Sequence, residues 1–425
     1  MEAARLVSDT VDRPRHIQIL DEAARIFNQG GVSSKPLSDV AERLNLSRAA
    51  LYYYVKDRDD LVFQVYCRTC DLLDQCLTRA QSTTSGALAV VQAFVALTLD
   101  PDAPDLSALG ELGLLRPEDR KAVLHRFEHI VGRLAGVLAD GQARGELRPC
   151  DPSIAAQTLV SIVTSIPTTS AWTISAQGPA LGDRRLQIAM AQDMLADGWL
   201  GDRSLVIDPP SLNLEPVALK KVAAFDRKGM VEARREAILV AASRLFNRKG
   251  VGSTSLDEIA ATVGATKRTL YQLVGDKTAL TMACARRSGQ IFSFTFRESL
   301  KAIDLDRPTP DVLIQWQRAA AMTQLRRDIE PVCVLGGIKG LDEASADEIL
   351  GLILQDNHRR LDIISNLLQS GQMRNCGPLS LIGLPGLLWN SMSWLSRGFI
   401  EVDDDRRLRV VAEVVEVLSL GLRAL

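Results

Sequence analysis

Aromatic residues are scarce in this chain: Phe, Trp and Tyr together make up 5% of its 425 residues. With 46% apolar and 24% charged residues, that scarcity suits a soluble, helix-rich protein. No stretch approaches the roughly 18 consecutive apolar residues that a membrane helix needs. Met1 to Arg15 carries charges and no apolar core, so it does not read as a signal peptide. The seven cysteines, an odd number at irregular spacing, argue against a disulfide framework and agree with a reducing compartment. The expected location is the cytoplasm. A net charge of -2 argues against a general polyanion binder. Neither a G-x-S-x-G elbow nor a G-x-x-x-x-G-K-[ST] loop occurs, so the sequence does not read as an enzyme and implies no cofactor. Its length exceeds what one core usually serves, and two or more domains are expected.

What the chain does have is a repeat. The segment from Arg15 to Leu61 recurs without a gap 219 positions later as Arg234 to Leu280, with about 17 of 47 pairs identical. Most other pairs swap like for like, as Val40 for Ile259 and Asp39 for Glu258. The copies differ in charge. Arg227 to Thr281 holds ten Lys/Arg against five Asp/Glu, whereas Ser8 to Val62 holds eight against nine. The second copy is therefore expected to grip phosphate more strongly.

Each copy spells three short helices. Ile19, Leu20, Ala23, Ile26 and Phe27 share one helical face, and Gly30-Gly31 ends that helix. Pro36 suits a first helical turn, followed by Leu37, Val40, Ala41 and Leu44. Asn45-Leu46 makes a tight turn and Ser47 caps a third helix, in which Leu51 and Val55 face inward. Arg48, Ala49, Tyr52 and Tyr53 then project outward, and Asp57 caps a fourth helix. The second copy repeats this with Gly264 in the turn, Thr266 as cap, Leu270 and Val274 inside, and Lys267, Arg268, Tyr271 and Gln272 outside. Two short helices and a tight turn, the second helix capped and basic, have the shape of a major-groove reader. Arg and Lys match guanine, Gln matches adenine, and a small Ala fits a thymine methyl. Tyr hydroxyls and cap N–H groups suit phosphates.

At these residues the chain resembles a known family. LSRAALYYYVKDRDDL is similar to the signature of TetR-family transcriptional regulators, and ATKRTLYQLVGDKTAL resembles a second instance. The resemblance implies an all-α protomer with a three-helix DNA-binding head and a helical body that binds a small molecule and dimerises. It places Ser47, Tyr52, Tyr53, Tyr54 and Lys56 at DNA in the first unit, and Thr266, Lys267, Tyr271 and Gln272 in the second. Two residues depart from the pattern. Gly275 stands where the family usually has a phosphate-binding Lys, and Leu273 replaces a polar aromatic; Lys277 is the candidate to compensate.

The repeat extends into the bodies. Gly145-Glu-Leu-Arg148-Pro-Cys150-Asp-Pro152 matches Gly371-Gln-Met-Arg374-Asn-Cys376-Gly-Pro378 at a spacing of 226. In the family a short loop of this kind precedes two dimer-forming helices, here Ser153 to about Trp172 with Leu186 to Leu200, and Leu379 to Leu395 with Arg406 to Leu422. The expected organisation is a first head (1–62), a first body (63–205), a linker (206–226), a second head (227–281) and a second body (282–425). The linker, Ile207 to Pro216 in its Pro-rich part, reads as extended. One chain thus carries both halves of what is normally a homodimer. An intramolecular pseudo-dimer is expected to read an asymmetric, double-stranded operator and to act as a ligand-responsive repressor. Further pairing of two such chains into a homodimer stays open.

Phe94, Phe127 and Trp172 in the first body, and Trp316, Trp389 and Trp394 in the second, are the candidate pocket lining; as residue types they equally suit core. The apolar composition points to an apolar effector. Two rival readings remain. Cys67-x-x-Cys70, with Cys76 beyond, would make a redox or metal sensor. His125-Arg-Phe-Glu128-His129 has the spacing of an inverted zinc-protease motif, the core of a metal-dependent hydrolase, but no third ligand is evident.

Overall fold

The computed structural model describes residues 14–32, 36–177, 182–207, 226–301, 303–305, 308–333, 343–354, 357–397 and 403–425. The described residues form helices and two isolated β-bridges, and no strand. The first head comprises α1 (Arg15–Gly30), α2 (Pro36–Arg43) and α3 (Arg48–Leu51). Its body follows as α4 (Arg58–Thr83), α5 (Ala87–Thr98), α6 (Pro117–Ala143), α7 (Pro152–Gln177) and α8 (Arg184–Asp197). The second head is α9 (Arg227–Lys249), α10 (Leu256–Thr262) and α11 (Lys267–Val274). Its body contains α12 (Lys277–Ser299), α13 (Asp311–Leu325), α14 (Glu343–Leu354), α15 (Asn357–Gln369), α16 (Leu384–Met392) and α17 (Asp404–Leu420). Residues 208–225 of the expected linker lie outside the described residues.

Local chemistry sets these boundaries. Gly31 and Gly250 end α1 and α9 with φ of 71° and 76°, a region where only glycine escapes a Cβ clash. Asp57 and Asp276 cap α4 and α12 by accepting from the backbone N–H of Asp60 and Ala279. α6 spans 27 residues, and α14 and α15 hold the equivalent places in the second unit.

The two units pack against each other through α7, α8, α16 and α17, the four helices expected at the interface. The contacts are reciprocal. The backbone N–H of Arg148 donates to the Leu422 carbonyl, and that of Arg374 donates to the Trp199 carbonyl, each at 2.9 Å. Arg148 Nε then donates to the Gly421 carbonyl at 2.6 Å, and Arg374 Nη1 donates to the Gly198 carbonyl at 2.7 Å. Each guanidinium also meets an acid of the opposite unit: Arg148 faces Glu416 at 3.4 Å and Arg374 faces Asp193 at 3.1 Å. The β-bridges Leu147–Arg423 and Leu200–Met373 complete the match. The same surface on each half contacts its own counterpart, the property of a two-fold interface.

One hydrophobic core runs from the first head through both bodies, from Ile19 to Leu422. The second head keeps a separate core of its own around Ile238, Phe246, Ile259, Leu270 and Leu280. The units are therefore alike in plan but differ in whether the core of the head is continuous with the main one.

Candidate DNA-binding interface

The turn between the two short helices is the same in both heads. Asn45 and Gly264, equivalent residues, both take a left-handed backbone at φ 51° and 63°. The N–H of the next residue bonds back to the preceding helix, Leu46 to Ala41 at 2.8 Å and Ala265 to Ala260 at 2.9 Å. Ser47 Oγ then accepts from the Ala50 N–H at 3.1 Å, and Thr266 Oγ1 accepts from the Thr269 N–H at 3.2 Å. Leu51, Val55, Leu270 and Val274 are buried, so their partners across each helix must face out.

The expected contact residues fall as follows. Ser47, Arg48, Ala49, Tyr52, Tyr53 and Lys56 are exposed in the first head, and Thr266, Lys267, Arg268, Tyr271 and Gln272 in the second. Tyr53 is 85% exposed, an unusual state for a tyrosine with nothing to gain from solvent. Arg48 and Lys267 are equivalent, and each reaches back to the helix before it: Arg48 Nη2 to Ser38 Oγ at 2.6 Å, Lys267 Nζ to Asp257 at 3.0 Å. Both pairs are exposed.

One helix and two residues sit differently from expectation. The third helix of the first head is a single turn, α3, whereas α11 has eight residues. After Leu51 the Tyr53 and Tyr54 N–H groups bond three residues back, which tightens the chain out of the α-helix. Tyr54 is half-buried, stacked on His16 with ring centroids 6.3 Å apart, so its ring is committed to the head's own packing. Lys277 is half-buried too, and donates to the Gly252 carbonyl at 3.1 Å; burial lowers its pKa. That amine ties a loop as well as offering a charge.

Each head is latched to its body by a pair of residues the sequence reading passed over. Asn28 Nδ2 donates to the Leu106 carbonyl, and Asn247 Nδ2 to the Pro331 carbonyl, both at 2.8 Å. Their Oδ1 atoms accept from the Ala108 N–H at 3.2 Å and the Cys333 N–H at 2.9 Å. Both asparagines are buried. Beside them Arg68 pairs with Asp21, and the equivalent Arg287 pairs with Glu236. The signal available in the sequence was that Asn28 and Asn247 are an identical polar pair on an otherwise apolar helix face.

A third link joins the first body to both heads. Glu111 Oε2 accepts from the Val32 N–H of the first head at 2.7 Å. Its other oxygen lies where a Cβ on Gly250, at the end of α9, would stand 1.9 Å away. Burial pushes the Glu111 carboxyl up to about 8, against the Val32 hydrogen bond and the Arg58 charge. Ser253 of the second head, with its Oγ 3.5 Å from the Val32 carbonyl, lies at the same junction.

These are two helix-turn-helix heads on helical bodies, and comparison with known proteins agrees. The model for bacterial regulatory proteins of the tetR family matches twice, at residues 19–65 and 238–284. A tetracyclin repressor-like C-terminal domain model matches residues 88–168. The chain carries two DNA-binding domains of the TetR family. It is a transcriptional regulator with a DNA-binding helix-turn-helix, present in two copies. The HTH-type transcriptional regulator AcrR of Shigella flexneri is 42% identical over 48 residues, which is 11% of this chain and 22% of that protein. The Bacillus subtilis fatty acid metabolism regulator protein is 22% identical over 171 residues, 39% of this chain and 87% of that one. A TetR-family regulator structure from Agrobacterium tumefaciens aligns at a TM-score of 0.32 and 18% identity, over 42% of this chain and 95% of that one.

The candidate pocket residues of this chain divide. Phe94 and Phe127 are buried in the common core. Trp172 lies outside the residues whose side chains are described. Trp316 is buried with the Arg360 guanidinium 5.4 Å from its ring, Trp389 packs edge-on against Phe292 at 5.3 Å, and Trp394 is buried. The rival readings gain no support. Burial raises the pKa of Cys67 and lifts Cys70 to about 12 and Cys76 to about 11, which disfavours the thiolate that sensing needs. His125, Glu128 and His129 lie exposed along α6, and no group of three metal-ligating side chains occurs among the described residues.

Proposed function

We propose that this chain is a ligand-responsive repressor that reads an asymmetric operator with two different heads. The observation that carries the reading is the inequality of the two outward faces. At equivalent positions Arg48 stands for Lys267, Ala49 for Arg268, Tyr53 for Gln272 and Lys56 for Gly275, while Tyr52 and Tyr271 agree. A shared Tyr at a phosphate with unlike neighbours at the bases gives common positioning and different sequence preference. The base-reading candidates are Arg48 and Ala49 in the first head, and Lys267, Arg268 and Gln272 in the second. Ser47, Tyr52, Tyr53, Lys56, Thr266 and Tyr271 are candidates for phosphate, with Tyr54 and Lys277 placed to support the same ends.

The chain acts in this reading as an intramolecular pseudo-dimer, with the reciprocal arginine contacts holding the heads at one spacing. Residues 1–62 and 227–281 are the reading units, and 63–205 and 282–425 the bodies. An effector in a body shifts the latch at Asn28 or Asn247, and the heads lose the spacing the operator requires. No described helix is long and apolar enough to cross a membrane. A repressor acting on DNA is expected in the cytoplasm.

Selection from random DNA tests this. The expected product is two unlike half-sites with centres about one helical turn, roughly 10 bp, apart or a little more. A perfect palindrome would contradict the reading.

A further inference from the structure

We infer that effector sensing belongs to the second body, which takes a neutral small molecule bearing hydroxyl, carbonyl or amide groups on Gln317 and Gln324 of α13. The inference rests on the regulator reading above and narrows it. It also departs from the apolar effector that composition suggests.

α5 and α13 are the same helix in the two bodies, offset by 225. Thr98 and Thr323 fix the register: each hydroxyl bonds the carbonyl four residues back, at 2.7 Å. The latch carbonyls of Leu106 and Pro331 keep the same offset. In this register Leu99 becomes Gln324, Val90 becomes Gln315, Phe94 becomes Ala319 and Val95 becomes Ala320. Gln92 and Gln317 correspond, but Gln92 is half-exposed while Gln317 is 0% exposed. The first body has a packed apolar helix here. The second has put amides and small side chains in the same places.

Gln317 and Gln324 are 0% and 3% exposed, and the amide N and O of both lack a hydrogen-bond partner among the described residues. They lie seven residues apart, so they share one helix face about 10 Å long, with Ala320 and Ala321 between them. Gln315, on the opposite side beside Ala319, is unpartnered in the same way. Buried amides without partners cost the full desolvation of each donor and acceptor; Leu99 and Val90 of α5 show that the places of Gln324 and Gln315 can be filled without one, and the Gln92 amide of α5 escapes that cost by being half-exposed. Groups held at such a cost mark a place where something else completes the bonds. A primary amide offers one acceptor and two donors and no charge, so its match is a neutral group that both donates and accepts.

The site is also placed to act on the second head. α13 packs against α12, whose Arg287 holds Glu236 on α9. The chain leaving Gln324 reaches Pro331, the acceptor of the Asn247 latch, within seven residues. The core of the second head is separate from the main one and takes in Cys284 of α12 and Val332, so those polar links act beside a small apolar seam between it and its body.

The test uses the full chain, the Gln317→Leu/Gln324→Leu variant and a Gln92→Leu control, with benzamide as the polar probe and toluene as its apolar match in size. Benzamide is expected to raise the melting temperature of the wild type and of the control, and toluene to do so less. The double variant is expected to melt several degrees higher than the wild type without additive, and to lose the benzamide shift. A lower melting temperature for the double variant would mean that the glutamines hold the fold, and would overturn the inference. An unchanged benzamide shift in that variant, or a toluene shift as large as that of benzamide, would overturn it too. Specific DNA binding by the wild type without additive is scored separately: its absence sinks the regulator reading and leaves the benzamide result standing on its own.

Discussion

Gly198 and Gly421 lie back to back where the two units meet, and neither leaves room for a Cβ. A Cβ on Gly421 would stand 2.4 Å from the Gly198 nitrogen, and one on Gly198 would stand 2.1 Å from the Ser419 carbonyl oxygen. Both residues have positive φ, 67° and 72°, and both carbonyls accept from an arginine of the other unit's loop. The halves can approach this closely only because each ends its last interface helix on glycine.

Replacing either glycine with alanine is therefore expected to damage the join. Backbone strain and the clash act together, and the expected loss is roughly 2–4 kcal/mol of stability for Gly198→Ala. Thermal unfolding with and without the change measures it, and wild-type stability would show that the backbones can part at no cost.

Arg268→Ala should weaken one half-site only. A lost bidentate base contact costs about 1–3 kcal/mol of discrimination at that position, and Arg48→Ala should do the same at the other half-site. Binding titrations on operators altered in one half at a time check both. Equal loss at both half-sites for either variant would mean that the heads do not read separately.

The latch asparagines should matter beyond their size. Asn247→Leu leaves the buried Pro331 carbonyl and Cys333 N–H without their partner, which costs roughly 2–4 kcal/mol. Because the second head has a separate core, this change is expected to loosen that head more than Asn28→Leu loosens the first. Amide hydrogen exchange in α9–α11 against α1–α3 is the measurement.

The buried carboxyl at the junction of the heads predicts a pH dependence. Glu111 titrates at about 8 in the folded chain, against 4.5 as its ordinary value, chiefly because of burial. The folded state therefore holds this proton more tightly than the unfolded one. Its contribution to stability is full below pH 4.5 and is lost as pH rises through about 8. Melting temperature should fall between about pH 5 and pH 8 and then level off in the wild type, and fall less in Glu111→Gln, which keeps an acceptor for the Val32 N–H. Parallel curves for the two proteins would contradict the assignment.

Much of each head was legible because its determinants are local. The caps Ser47 and Thr266, the turn residues Asn45 and Gly264, and the buried Leu51 and Leu270 all act within a few residues of themselves. The interface helices were legible through the repeated loop around Arg148 and Arg374. What those arginines hold was not, because Leu422 lies 274 positions beyond Arg148 in the sequence and periodicity says nothing about a distant partner. Glu111 was missed for the same reason: its setting is made by Val32 and Gly250, on two different heads. The short α3 escaped notice because Tyr54 leaves the helix pattern to stack on His16. On α13 the glutamines look like ordinary helix surface until burial shows that α13 has almost none.

The mass of the complex between the purified chain and its selected operator tests the central claim most directly. One polypeptide per duplex, protecting two unlike half-sites, is the predicted result. Two polypeptides on a symmetric site, each using one head, would contradict it.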